Sequence, residues 1–306
     1  MERKVIVIAG PTCSGKTSAG IALCERIRSE IISADSRQIY KKLDIGTAKP
    51  TLDELKRVKH HFINLLDPDQ EYNVSRFEKE ALEKINLLLG KSKIPVVVGG
   101  SGLYIRALID GIFDSVDPDS DYRAELHALR DKFGNEALYE KLKNADPVSA
   151  SRMLPQNWKR VIRALEVFNS TGEPIWKAQE KEKKISDIKF YQFGLEWERE
   201  LLYKNIESRV DEMIESGLIA EVEKILNSGY SKKMNSLNTV GYKEIISYLE
   251  NEITFERAVE LIKRNTRRYA KRQLTWFRKD NRINWIKVTS RNDLEKVPEF
   301  ILKNFN

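Results

Sequence analysis

Val5-Ile-Val-Ile-Ala9-Gly10-Pro-Thr-Cys-Ser-Gly15-Lys16-Thr17 decides the architecture of this 306-residue chain. The apolar run 5–9, rich in β-branched residues, suits a strand buried on both faces of a parallel sheet. Residues 10–17 match GxxxxGK(S/T), and 17–28 have helical composition, so a glycine-bounded turn joins strand to helix. Glycines let backbone N–H groups turn toward an anion, and the following helix presents its positive end to it. Lys16 adds a point charge for the distal phosphate, and the Thr17 hydroxyl can ligate Mg²⁺. Gly10, Pro11, Thr12, Cys13, Ser14, Gly15, Lys16 and Thr17 are therefore expected to cradle a diphosphate. The cradle does not say what the diphosphate is attached to. Cys13 reads as a small loop residue rather than a nucleophile, because no neighbour activates it.

Working outward, residues 30–34 form a second short strand ending in Asp35-Ser36-Arg37-Gln38, and 94–98 a third ending in Gly99-Gly-Ser101-Gly. An amphipathic helix at 75–89 lies between them, an alternation that implies a parallel sheet covered on both faces. Ligands sit at the carboxyl ends of the strands in such sheets. Asp35 there is a Mg²⁺-organising acid, a general base, or only a loop or capping carboxylate. Ser36 and Gln38 can read a base edge through hydrogen bonds or simply face water. The Gly99–Gly102 cluster suggests close backbone approach to a ligand, where a nucleotide kinase is expected to carry an acidic metal-organising residue. From Asp114 the texture changes. Asp114, Asp117, Asp119 and Asp121 crowd a turn with Pro118, and helical periodicity then runs to about Lys184. A strand returns at 189–195, followed by helices at 199–227, 242–250 and 255–277. The expected fold is α/β: a P-loop NTPase-like parallel core of residues 1–114 plus 189–306, a helical insertion at 115–188, and a helical, basic C-terminal part.

With 41% hydrophobic residues and five Trp, the composition supports a core and excludes wholesale disorder. No apolar run approaches the ~18 residues of a membrane span. Met1-Glu-Arg-Lys imitates the start of a signal peptide, but the apolar stretch behind it is too short. Two cysteines, Cys13 and Cys24, build neither a disulfide framework nor a four-ligand zinc site. A cytoplasmic protein without membrane attachment or structural metal is expected. His60 and His61, adjacent in a strand, point opposite ways and are read as structural. The net charge of +7 is uneven. Lys263, Arg264, Arg267, Arg268, Lys271, Arg272, Arg278, Lys279 and Arg282 face a single acid, Asp280, within twenty residues, so this block alone carries the excess. Tyr269, Trp276 and Phe277 interleave with those charges. Such a block is either a solvated helix face or a nucleic-acid surface, and the aromatics favour the second, since they can stack on unpaired bases.

These pieces together resemble the bacterial tRNA dimethylallyltransferase family. The resemblance rests on residues 10–17, Ala34-Asp-Ser-Arg-Gln-Ile-Tyr40, Asp44-Ile-Gly-Thr-Ala-Lys-Pro50, His60-His61 and Gly99-Gly-Ser-Gly-Leu-Tyr104. It continues through Lys159-Arg-Val-Ile-Arg-Ala-Leu-Glu166, Arg209, Thr239-Val-Gly-Tyr-Lys243 and the 267–278 block, in family order over nearly the whole chain. Two departures are mild: the family usually has a small residue such as Ala at Cys13, and Thr at Ser101. The resemblance implies transfer of a dimethylallyl group to N6 of the adenosine 3′-adjacent to the anticodon. Residues 10–17 would then hold dimethylallyl diphosphate, although family members are often described as ATP-binding, and Arg209 would be a second cation on the diphosphate. Asp35 would be the general base, with Ser36, Arg37 and Gln38 beside the target adenosine and Ser101 assisting. Arg123, Lys159, Arg160, Val161, Ile162, Arg163, Thr239, Val240, Gly241, Tyr242, Lys243 and Glu244 would contact tRNA, as would Arg267, Arg268 and Arg272. Both the insertion and the C-terminal helices would clamp the anticodon stem-loop of a tRNA, and a monomer is implied. The rival readings are a P-loop nucleotide or small-molecule kinase, which has no use for the basic block, and an RNA-binding protein that keeps the loop as a switch.

Overall fold

The computed structural model describes residues 2–112, 119–177 and 187–305. Six strands form one sheet in the order β3-β2-β4-β1-β5-β6. They are β1 Arg3–Ala9, β2 Ile31–Ser33, β3 His60–His61, β4 Val96–Gly99, β5 Ile188–Trp197 and β6 Ile283–Val288. Every pairing is parallel; Ile6 lies opposite Val96 on one side and Tyr191 on the other. β1 sits in the middle with Val5 through Ala9 fully buried, which is why its sequence is continuously apolar instead of alternating. Its two faces feed separate cores. Ile6 and Ile8 pack with Val96, Val98, Phe193 and Leu195 against the Lys16–Ile27 helix. Val5, Val7 and Ala9 pack with Val97 against the Val74–Gly90 and Gly102–Asp110 helices. The sequence reading missed β6, which follows directly on the basic run, whereas the strand expected at His60-His61 is β3.

Sheet and C-terminal helices form one compact unit, residues 1–109 and 186–306, and the chain between them forms a second, 110–185. The expected boundaries, 114/115 and 188/189, differ from these by a few residues. The first of them, with Asp114, Asp117 and Pro118, lies outside the described residues, as does the stretch around Lys184. The second unit is helical as expected: Ser120–Ala145, which breaks at Gly134 (φ 84°), Pro147–Ser151 and Trp158–Thr171 enclose Leu126, Leu138, Leu142 and Leu165. In the first unit the helical stretch expected at 199–227 is two helices, Arg199–Glu215 and Leu218–Asn227, parted at Gly217 (φ 94°). These helices, with Tyr242–Leu249 and Phe255–Phe277, bury Val210, Leu218, Tyr242 and Ile262 against Ile39, Tyr40 and Leu43. The C-terminal part is thus packed onto the loop that follows β2, not appended to it.

At the other end of β2, Glu30 receives Lys93 Nζ (2.7 Å) and lies 2.7 Å from His61 Nε2. Burial alone would raise its pKa, but the hydrogen bonds from Lys93 and His61, with the Lys93 charge, overcome that and hold the carboxyl at about 2. A depressed carboxyl stabilises the fold above its unfolded value and loses that contribution as pH falls through the folded value. Between about pH 4.5 and 2, Glu30→Gln should therefore flatten the loss of thermal stability seen in the parent chain, while lowering Tm at neutral pH by several degrees. Parallel melting curves that keep a constant separation over that window would contradict the assignment.

Candidate active site

The Gly10–Thr17 turn leaves the carboxyl end of β1 and opens the first helix. Cys13 (φ 62°) and Gly15 (φ 81°) both take left-handed backbone, which curls the turn back on itself. Gly15 is the helix N-cap and supplies no side-chain cap. No described hydrogen bond takes up the N–H groups of Cys13 through Thr17, so the positive helix end and these donors are left for an anion. Ser14 Oγ is buried and has no partner among the described residues.

Three distant side chains hold the turn. Trp197 Nε1, from the end of β5, donates to the Ser14 carbonyl at 2.9 Å. Gln273, buried on the Phe255–Phe277 helix, accepts from the Thr12 N–H (2.9 Å) and donates to the Gly100 carbonyl (2.9 Å). Leu294 lies over Gly15, where an added Cβ would meet its Cδ1 at 2.4 Å. Lys16 Nζ donates to the Pro11 carbonyl at 3.0 Å, arching over its own loop. Burial pulls the Lys16 pKa down, Asp35 pushes it up, and Arg209 pulls it down again, so all three charges sense one another. Arg209 is itself exposed, with Nε 3.3 Å from Glu212. Cys13 stays a thiol because burial raises its pKa, in keeping with a structural part for it.

Asp35 follows β2. Its Oδ1 accepts from the N–H groups of Arg37 (2.8 Å) and Gln38 (3.3 Å), while Oδ2 enters no described hydrogen bond. Ser101 stands on the adjacent turn, where its N–H donates to the Ala34 carbonyl (3.1 Å). Gly99 makes that closeness possible, since a Cβ there would fall 2.1 Å from the Ala34 oxygen. The Tyr104 and Tyr269 hydroxyls are raised above their ordinary pKa by burial, with Asp35 adding to the effect in both. The turns carrying Lys16, Asp35 and Ser101 therefore meet at one end of the sheet.

Several of the residues expected to contact tRNA have partners inside the fold. Gln38 is committed internally: Nε2 donates to the Thr47 (3.2 Å) and Ala48 (3.1 Å) carbonyls, and Oε1 accepts from Ser33. It cannot read a base edge without breaking these bonds. Arg37 Nη1 donates to the Asn235 carbonyl (2.7 Å), and Ser36 is half-buried. Within 239–244, Tyr242 and Glu244 are buried. The Tyr242 hydroxyl donates to Glu221 (2.6 Å), and Glu244 accepts from the Gly241 N–H and Asn265. Thr239 donates to the Ser236 carbonyl, Val240 is half-buried, and Gly241 is buried at φ 100°. Only Lys243 of this motif is exposed. In the second unit Val161 and Ile162 are core residues, so their side chains are unavailable to RNA. Arg123 forms a two-pronged bond to buried Glu166 (2.5 and 3.0 Å), with Arg163 3.7 Å from the same carboxylate. Lys159 and Arg160 remain exposed.

The basic block is also less free than its composition suggested. Lys263 pairs with Asp211, Arg267 with Glu207, Arg278 with Glu196 and Arg282 with Asp280. Among the described residues Arg264, Arg268, Lys271, Arg272 and Lys279 make no ion pair; the first four share one side of the Phe255–Phe277 helix, and Lys279 follows its end. Tyr269 and Trp276 border that side, with Trp276 lying against Gly102. Gln273 and Trp197 are supports of the turn that the sequence reading missed. Among the described residues no group of three His, Cys, Asp or Glu side chains could hold a metal ion, and no helix is long and apolar enough to cross a membrane.

A parallel α/β core with a helical insertion, whose glycine turn, strand-end carboxylate and basic helix share one sheet end, defines the class. The family model described as IPP transferase matches residues 38–280, and the chain belongs to that family of prenyltransferases. It is 46% identical over 306 residues to the tRNA dimethylallyltransferase of Thermotoga neapolitana, covering 99% of both chains. Among solved structures, the full-length tRNA isopentenylpyrophosphate transferase of Bacillus halodurans is 38% identical with a TM-score of 0.73, covering 100% of this chain and 97% of that one. A eukaryotic dimethylallyltransferase acting on tRNA is 28% identical with a TM-score of 0.81, covering 99% and 80%.

Proposed function

We propose that this protein, as a monomer, transfers the dimethylallyl group of dimethylallyl diphosphate to N6 of the adenosine 3′-adjacent to the anticodon in tRNA. The observation that carries the reading is the full-length likeness to tRNA dimethylallyltransferases, supported by the meeting of Lys16, Arg209 and Asp35 at one sheet end. The adenine exocyclic amine is a poor nucleophile, since its lone pair is delocalised into the ring. Its nitrogen attacks the primary allylic carbon, the carbon–oxygen bond to diphosphate breaks with its electron pair leaving on oxygen, and Asp35 takes the N6 proton. Positioned proton acceptance of this kind gives ~10²–10⁴-fold. Lys16, Arg209 and the free N–H groups of 13–17 stabilise the departing charge. The Thr17 hydroxyl and unpartnered Ser14 Oγ are hard oxygen donors that, with diphosphate oxygens, fit Mg²⁺, which would neutralise part of the leaving-group charge. A stacked base cannot reach Asp35, so the adenosine leaves the anticodon loop. Arg264, Arg268, Lys271, Arg272 and Lys279, which make no ion pair among the described residues, hold phosphates, giving a steep salt dependence.

Incubation with Mg²⁺, dimethylallyl diphosphate and unmodified tRNA, then mass spectrometry of the digested nucleosides, should show a five-carbon increment on adenosine. No increment, together with loss of the γ-phosphate from ATP in a parallel reaction, would replace this reading by a kinase. Gln273 fixes the loop through Thr12, so Gln273→Leu should raise the KM for dimethylallyl diphosphate about tenfold, leaving tRNA affinity within about threefold. An unchanged KM would remove Gln273 from the loop's support.

A further inference from the structure

Glu221, on the Leu218–Asn227 helix, is used by neither the diphosphate cradle nor the basic stripe, yet its carboxylate is saturated. Oε2 accepts from the N–H groups of Asp44 (3.0 Å) and Ile45 (2.8 Å), and Oε1 accepts from the Gly46 N–H (3.3 Å) and the buried Tyr242 hydroxyl (2.6 Å). Three successive backbone donors on one carboxylate fix the course of that loop. The Tyr242 ring closes over it so tightly that a Cβ on Gly46 would meet Cε2 at 2.4 Å. One residue further on, the Thr47 and Ala48 carbonyls hold the Gln38 side-chain amide. Gln38 in turn gives its backbone N–H to Asp35 Oδ1.

We propose that Glu221 is a positioning residue for Asp35, acting through the 44–48 loop and Gln38, and that the 239–244 motif serves this relay through Tyr242. The proposal rests on the reading of Asp35 as the general base. Displacement of a reacting group by about 1 Å costs on the order of 10²-fold. Glu221→Ala should therefore lower kcat about 10- to 100-fold, with the KM for dimethylallyl diphosphate within about twofold, because the 10–17 turn has its own supports. Tyr242→Phe keeps the ring over Gly46 and removes one bond, so its loss should be several-fold.

The deciding measurement is the double variant Asp35→Asn with Glu221→Ala. If Glu221 acts through Asp35, the double variant is no slower than Asp35→Asn alone. A general structural defect would slow both backgrounds equally, and that additive result overturns the proposal, as does a wild-type kcat for Glu221→Ala. Should Glu221→Ala fold poorly by circular dichroism, the same cycle is run with Tyr242→Phe, with the same two outcomes. If Asp35→Asn itself kept near-parental kcat, the base assignment would fall and take this proposal with it, whereas additivity beside a strong Asp35→Asn loss overturns the relay alone.

Discussion

Asp35→Asn should lower kcat by about 10³-fold, within the range a positioned proton acceptor supplies, while tRNA affinity stays within about threefold. The substitution is chosen for what it preserves. Asparagine keeps an oxygen at Oδ1 to accept from the Arg37 and Gln38 N–H groups, so the turn after β2 retains its shape. What it loses is the capacity of the second oxygen, free of described partners, to take a proton. Single-turnover rates with saturating tRNA and dimethylallyl diphosphate, set beside tRNA binding by filter retention, separate the two effects. Equal collapse of binding and chemistry would mean that Asp35 holds RNA instead of accepting a proton.

Lys16→Met should lower kcat/KM for dimethylallyl diphosphate by about 10²–10³-fold, the loss expected when one preorganised charge-stabilising donor is removed. Methionine keeps an unbranched chain of similar length, and Lys16 already suffers from burial, which pulls its pKa down. Its removal should therefore leave Tm within a few degrees of the parent. A fall in kcat/KM of less than threefold, with stability unchanged, would show that the diphosphate is held elsewhere. Arg209, more exposed and paired with Glu212, should matter less than Lys16 on the same measurement.

What could be read from sequence follows from how locally each feature is encoded. The 10–17 turn and the strand before it are contiguous, and Asp35 and Ser101 fall at strand ends recognisable from short apolar runs. The supports of that turn are not contiguous: Gln273 lies 261 residues from Thr12, and Trp197 lies 183 from Ser14. On an amphipathic basic helix a glutamine reads as one more solvated side chain. The charge block was overcounted for the same reason, because nothing local shows that Asp211 and Glu207 stand opposite Lys263 and Arg267. The 239–244 motif differs in kind. An RNA contact there came only from the resemblance; Tyr242 turns inward to Glu221, and Glu244 takes the Gly241 N–H and the Asn265 amide.

The walls around the 10–17 turn have a consequence for biosynthesis. Trp197, Gln273 and Leu294 all emerge long after the turn they steady, and the Val297–Asn304 helix packs on the Lys16–Ile27 helix. At about 5–20 residues per second, a ribosome needs roughly 15–60 s to reach Leu294 after making Gly15. Throughout that interval the nascent chain carries an anion-seeking turn with no lid over Gly15, and for about the first two-thirds of it an apolar β1 without its complete β5 neighbour. The turn thus gains its full set of walls only with the last tenth of the polypeptide.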